Sequence, residues 1–265
     1  MSKIVIKLGG QVFADKGLKA LAQDIKQIQN LGHELILVHG GGAQIDKALA
    51  DKGIVPQKKD GLRITDAATM EVVQQVLDEV NASLVNQFCA EGLSTVGFSS
   101  ANSVLKVKQA SAIGIDGVEF DLGFVGNVER VDTNGIAQLL SNNAIPLVAP
   151  LGVGGTGGTT LFNINADNAA SAIAEQIGAD MLVFMSDVPG VLGADKFSVK
   201  KLKKVQCDHL TAQGTVSGGM LTKLHNAFQA AENGVKVVQI IDGTKPHALL
   251  ESIQTPGNHG TLIAC

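Results

Sequence analysis

The sequence predicts an α/β protein, a three-layer α/β/α sandwich around a mainly parallel, open central sheet. Short runs rich in Val, Ile and Leu, at residues 3–8, 35–38, 93–98, 145–149, 180–185 and 236–241, alternate with stretches whose apolar residues recur at helical spacing. Such alternation marks βαβ units, in which helices cover both faces of a parallel sheet. Two of the runs end on glycines, and no polar linker or repeat of about 20–50 residues divides the chain. Residues 1–265 therefore read as one domain, with an N-lobe to about residue 178 and a C-lobe over 179–265.

Composition narrows the class. A chain of 265 residues, 45% hydrophobic, can bury a substantial core. Lys and Arg number 21 against 25 Asp and Glu, so nothing pulls the molecule as a whole toward nucleic acid or anionic membranes. Trp and Tyr are absent, which removes the usual stacking platforms for single strands. Cys89, Cys207 and Cys265 lie far apart without CxxC spacing and read as free thiols of a reducing cytoplasm. The N-terminus lacks the pattern of a secretion signal, and no apolar run approaches the roughly 20 residues needed to span a bilayer, so a cytoplasmic protein is expected.

The first strand, Lys3 to Leu8, ends at Gly9-Gly10 and contains Lys7. A desolvated ammonium is costly, so Lys7 either faces solvent from an edge strand or serves as a cation beside a backbone anion cradle. Leu18, Leu21, Ile25 and Ile28 give the next helix one core face. The run Leu35–Val38 then stops at His39-Gly40-Gly41-Gly42, and helical spacing resumes through Ile45, Leu49 and Ile54. Glycines let a ligand approach the main chain, and the first N–H groups of the helix point the same way, so this turn is a candidate anion site. His39 is either a base or a residue that fixes the loop backbone, and we read it as structural.

In the polar loop 57–66, Arg63 stands between Leu62 and Ile64; its planar fork suits a carboxylate, making it a candidate substrate clamp. Thr65 or Asp66 caps a long helix through Met70, Val73, Leu77, Val80, Leu84 and Phe88. After the strand at 93–98, short alternating runs from Val104 to Val131 predict antiparallel ribbons that wall a pocket beside the parallel core. Asp132 caps a short helix through Leu140, before the strand at 145–149.

Gly152, Gly154 and Gly157 spell a literal GxGxxG, but Thr159-Thr160-Leu161-Phe162 continues as extended chain where a dinucleotide site needs a helix, so a glycine-rich hairpin is expected. Asn163 and Asp167 flank the start of a helix read over 168–177 and serve either as its caps or as ligand contacts. Asp187 follows the strand 180–185 at its carboxyl end, where open α/β sheets place ligands. Residues 215–223 open another helix, and Lys223 near its start opposes the macrodipole, a local conflict of the kind functional sites produce. A short helix at 246–253 and a strand at 260–264 complete the chain.

Taken in order, KLGG, VHGGG, GLRIT, NINAD, SDVPGVL and GGMLTK resemble the motifs of the amino-acid kinase family over essentially the whole chain. GLRIT resembles the branch acting on N-acetyl-L-glutamate, apart from the aspartate, carbamate, glutamate 5- and uridylate kinases. That resemblance implies transfer of a phosphoryl group from ATP with Mg²⁺ to the side-chain carboxylate of N-acetyl-L-glutamate, in arginine biosynthesis. It implies that Lys7 and Lys223 hold the moving phosphoryl group and its leaving oxygen, that Asp167 orients both, and that Gly10, Gly41 and Gly42 shape the phosphoryl and substrate site. It further implies that Arg63 and Asn163 grip the amino acid, while Asp187, Val188, Pro189, Gly190, Val191, Leu192, Thr215, Val216 and Ser217 contact the nucleotide. The metal is expected to arrive with the nucleotide. Residues 96–102 lack the SGKDG form of many relatives and receive no role. With Lys3 already in the first strand, the N-terminal helix of the arginine-inhibited branch is not expected, which predicts a homodimer insensitive to arginine.

Two rivals follow from the same residues. A kinase for aminoadipate or glutamate attached to a carrier protein would need a basic docking surface, for which Lys58-Lys59 is the candidate. A nucleotide-binding sensor or dinucleotide-dependent oxidoreductase would need a helix from about Gly157 and leaves both lysines unexplained.

Overall fold

A computed structural model describes residues 1–10, 15–59, 62–113 and 119–264. Gly61 of the GLRIT run and Cys265 lie outside the described residues. In chain order the first elements are β1 (Lys3–Leu8), α1 (Asp15–Asn30), β2 (Glu34–His39), α2 (Gly42–Asp51), β3 (Lys58–Lys59), β4 (Leu62–Arg63), α3 (Ala67–Ala90) and β5 (Thr95–Phe98). A middle group follows: β6 (Leu105–Ile113), β7 (Glu119–Val131), α4 (Thr133–Ser141), β8 (Ile145–Val148), β9 (Leu151–Gly154), β10 (Thr160–Asn163) and α5 (Ala166–Gln176). The last are β11 (Met181–Ser186), β12 (Lys201–Lys203), α6 (Lys204–Ala212), α7 (Gly218–Glu232), β13 (Val237–Asp242), α8 (Ala248–Gln254) and β14 (Thr261–Ala264).

The eight-stranded sheet runs β12-β14-β13-β11-β1-β2-β8-β5. From β13 through β5 all pairings are parallel, and β14 lies antiparallel against β13. Strand alternation sorts the core into two faces. Ile4, Ile6 and Leu8 of β1 pack with α1, α3 and α8, whereas Val5 faces the layer made by α4, α5, α6 and α7. β1 is therefore a central strand, which removes the edge position as an explanation of Lys7; by period two, Lys7 shares the face of Val5. Because β1 is flanked by β2 on one side and β11 on the other, the strand order switches at β1, and the crevice beyond its carboxyl end is where such sheets bind ligands.

The ribbons expected from Val104 onward are present as two antiparallel pairs, β6 with β7 and β9 with β10. They also join to each other through parallel pairings, β10 with β7 and β6 with β9, and so close a four-stranded barrel. This explains the glycine-rich stretch. A Cβ on Gly154 would lie 2.0 Å from the Val107 carbonyl oxygen, and one on Gly152 would lie 2.5 Å from Val107 Cγ1. Those glycines let strands cross closely inside the barrel, and a turn rather than a helix follows them at 155–158.

Helix boundaries shift for local reasons. The fifth helix begins at Ala166, two residues earlier than expected, because Asn165 caps it by accepting from the N–H groups of Asp167 and Asn168. The cap is thus neither Asn163, which ends β10, nor Asp167, which lies in the first turn. Asp66 caps α3 and Asp132 caps α4, as expected. Residues 99–102 form a capped 3₁₀ turn on the sheet edge, with Ser100 held by Asp78.

Candidate active site

Lys7, at the carboxyl end of β1, and Lys223, in the second turn of α7, meet on one carboxylate. Lys7 Nζ lies 3.1 Å from Asp167 Oδ1, and Lys223 Nζ donates to Asp167 Oδ1 and Oδ2 at 3.1 and 2.9 Å. The side chains of Lys223 and Asp167 are only 8% and 11% exposed, so the charges interact in a partly water-excluded setting. Burial works to raise the pKa of Asp167, but the two lysines together outweigh it and hold the carboxyl below its ordinary range. For Lys223, burial pulls downward against the attraction of Asp167, and Lys7 adds a repulsion of the same sign as burial. The ring of Phe184 lies 5.3 Å from the Lys223 ammonium and stabilises it from the core side. Helices α5 and α7 are pinned again one turn on, where Ser171 donates to the Asn226 carbonyl.

Two recesses flank this trio. The first, a cavity of about 240 Å³, is lined by Lys7, Gly40–Gly42, Arg63, Asn163 and Asp167 among others. It lies at the start of α2, whose N-cap residue Gly41 offers no side chain to the free N–H groups. Gly41 packs closely on α3, since a Cβ there would sit 2.6 Å from Leu77 Cδ2 and displace that side chain. At Gly42 the contrary holds: among the described residues no atom outside its own helix and chain neighbours lies within 4 Å of an added Cβ, so this glycine leaves open space at the recess. Arg63 reaches in from β4, its residue 8% exposed, and Asn163 is coupled to it through Thr65, whose hydroxyl accepts from the Asn163 amide and donates to the Arg63 carbonyl.

The second recess, about 560 Å³, shares Lys7 and Asp167 with the first and adds Lys223, Gly9, Gly10, Ser186, Asp187, Val188, Gly219 and Met220. It opens at the start of α7, where Ser217 makes no side-chain cap. The arrangement places two ammonium groups and two uncapped helix N-termini around one point, a setting suited to stabilising negative charge as it moves.

The profile of the Amino acid kinase family matches residues 2–242. The chain belongs to that family.

Among full-length relatives, the acetylglutamate kinase of Psychrobacter cryohalolentis is 40% identical over 268 residues, covering 98% of this chain and 89% of its own. Those of Rhodospirillum rubrum and Aromatoleum aromaticum are 39% and 42% identical, covering 98% of this chain and 86% and 88% of theirs. In three dimensions the chain is similar to the N-acetylglutamate synthase of Neisseria gonorrhoeae solved with coenzyme A and N-acetyl-glutamate, with a TM-score of 0.86 and 26% identity. It spans 59% of that longer chain, and that chain covers all of this one. Giardia carbamate kinase, at a TM-score of 0.70 and 17% identity over 99% of this chain and 98% of its own, shares the fold.

Within this amino acid kinase, the residues expected to contact nucleotide divide into two groups. Asp187 and Val188 line the second recess, whereas Pro189, Gly190, Val191, Leu192, Thr215, Val216 and Ser217 do not. Val191 and Val216 are core residues, and the Val191 N–H already donates to Thr261 Oγ1 at 2.8 Å. Gly190 holds φ of +134° where a Cβ would strike Ser198 and Thr261, so its glycine serves the turn. His39 is fully buried, with Nδ1 donating to the Gly40 carbonyl and Nε2 accepting from Asn81. Burial lowers its pKa from 6.5 to about 4, so it is neutral and holds the turn beneath the cavity. Sequence reasoning passed over Asp46, which touches Arg63 and Lys58 from α2. The available signal was its position four residues after Gly42, on the same helix face.

Proposed function

We propose that this chain phosphorylates the side-chain carboxylate of N-acetyl-L-glutamate with MgATP, giving N-acetyl-L-glutamyl 5-phosphate and ADP, as a cytoplasmic homodimer acting in arginine biosynthesis. The observation that carries the reading is the meeting of Lys7 and Lys223 on Asp167 between two glycine-edged recesses. The acceptor follows from the relatives, acetylglutamate kinases alike over nearly their full length.

A glutamate-type carboxyl has an ordinary pKa of about 4.3, so the nucleophile is ionised at neutral pH and needs no base. One of its oxygens bonds to the γ-phosphorus as the bond to the bridging oxygen breaks. The obstacle is repulsion between anions. Lys7 and Lys223 offset it at the transferring group and the leaving oxygen, and Asp167 keeps both ammonium groups aimed there. N–H groups around Gly10, Gly41 and Gly42 donate to the same charge, Arg63 and Asn163 grip the acetylated amino acid, and Asp187–Leu192 with Thr215–Ser217 contact the nucleotide. Val191 and Val216, being core residues, contribute through backbone. Mg²⁺, expected to arrive with the nucleotide, would supply further charge neutralisation.

The rivals are less well supported. Lys58, needed by a carrier-docking surface, is engaged by Asp46, and of the glycines needed by a dinucleotide site Gly152 and Gly154 are packed against Val107 inside the barrel, while Gly157 lies in a turn and not at a helix start. Incubation with MgATP, hydroxylamine and a panel of carboxylates tests all three readings. Hydroxamate formed from N-acetyl-L-glutamate is the expected result; a signal only from a carrier-linked substrate, or none at all, overturns it.

A further inference from the structure

Behind Lys58 and Arg63 of the α2 cavity stands a charged group, Asp46, that phosphoryl transfer leaves without a task. β3 and β4 pair antiparallel with Lys58 opposite Arg63, so two cations stand as cross-strand neighbours, an arrangement that is unfavourable by itself. Asp46 resolves it from the facing helix: one carboxylate oxygen touches Arg63 Nη2 and the other accepts from Lys58 Nζ at 2.9 Å. Burial works against ionisation of Asp46, but Lys58 and Arg63 together keep its carboxyl below the ordinary range, so it is an anion near neutral pH. Arg63 Nη2 also points to the Gly42 carbonyl, at a long 3.5 Å. Its Nη1 is buried with no hydrogen-bond partner among the described residues, although Arg63 lines the cavity.

A guanidinium presents paired N–H groups in a rigid plane, so fixing one edge fixes the direction of the other. Two cations and one anion also leave a net single positive charge, the complement of one carboxylate. Resting on the function proposed above, we infer that Asp46 is a positioning residue, which occupies Nη2 of Arg63 and thereby holds Nη1 ready for the carboxylate of the amino-acid substrate that is not phosphorylated.

The test measures KM and kcat for N-acetyl-L-glutamate in Asp46→Asn, Asp46→Glu, Arg63→Ala and the Asp46→Asn/Arg63→Ala double variant. Asp46→Asn is expected to raise KM about tenfold, the scale of one charge-assisted hydrogen bond, with kcat within about twofold. Asp46→Glu should recover part of the loss, and in the Arg63→Ala background Asp46→Asn should add nothing further. An unchanged KM in Asp46→Asn, or the same increase with and without Arg63, overturns the inference while leaving the proposed reaction standing. Absence of turnover in the unaltered protein overturns the reaction and this inference with it. Asp46 is partly exposed, and thermal melting of Asp46→Asn and Asp46→Glu separates any loss of fold from the KM effect.

Discussion

The recesses at α2 and α7 share Lys7 and Asp167 and both open on a helix start that lacks a side-chain cap, yet they are built differently. At α2 the cavity is the smaller, and a buried arginine with an unused edge reaches into it. The α7 recess is more than twice as large, the cations lining it among the described residues are the two lysines that already share Asp167, and it adds the exposed Asp187. A site with a fixed, directional cation selects a ligand carrying one carboxylate at a set distance. A wide site with its cations already balanced suits a ligand that brings its own counter-charge, as a magnesium polyphosphate does.

The largest expected effect falls on the trio at which the two recesses meet. Lys223→Ala leaves Asp167 paired with Lys7, so circular dichroism should report a retained fold while kcat falls by about 10²–10³, the scale of losing one preorganised charge donor. A kcat within a factor of a few of the unaltered protein would remove Lys223 from the chemistry.

Next comes the support beneath the α2 side. His39 has a folded pKa of about 4 against 6.5, so between those values the unfolded chain binds more protons, and stability rises with pH. Its contribution is complete above pH 6.5 and is lost as pH falls toward 4, about 3 kcal/mol in all, measurable by urea unfolding across that window. A flat profile would mean that the histidine is hydrated and titrates normally.

A sharper probe of the contrast is Arg63→Ala, expected to raise KM for the amino acid about 10–100-fold while KM for ATP stays within about twofold. Equal changes in both would erase the distinction between the recesses. The smallest effect is expected from Ser217→Asp, which gives α7 the cap it lacks. Helix stability should rise by about 0.5–1 kcal/mol, and nucleotide affinity should fall because the new carboxylate competes for the same N–H groups. An unchanged KM for ATP would show that the start of α7 is not where phosphate rests.

Much of this was legible in the sequence because its signals are local. Apolar runs, glycine turns and helix caps act over a few residues, and Lys7 and Lys223 stood out by sitting where their neighbours disfavour a charge. The barrel was not legible beyond its hairpins, since parallel pairing between β6 and β9 or β7 and β10 depends on residues far apart and leaves no adjacent turn. Asp46 was missed for a related reason. On α2 it looks like any charge on a half-exposed helix, and its significance is created by the cross-strand placement of Lys58 and Arg63. Val191 and Val216 show the converse, motif residues whose side chains belong to the core.

The central place of β1 carries a consequence for how the molecule comes into being. This strand is made before its two hydrogen-bonding neighbours, at residues 34–39 and 181–186, and before the ammonium that completes the trio, at 223. In a nascent chain stopped short of α7, Asp167 has one of its two lysines. The charge trio is therefore completed only when α7 docks onto α5, a contact between residues far apart in the chain.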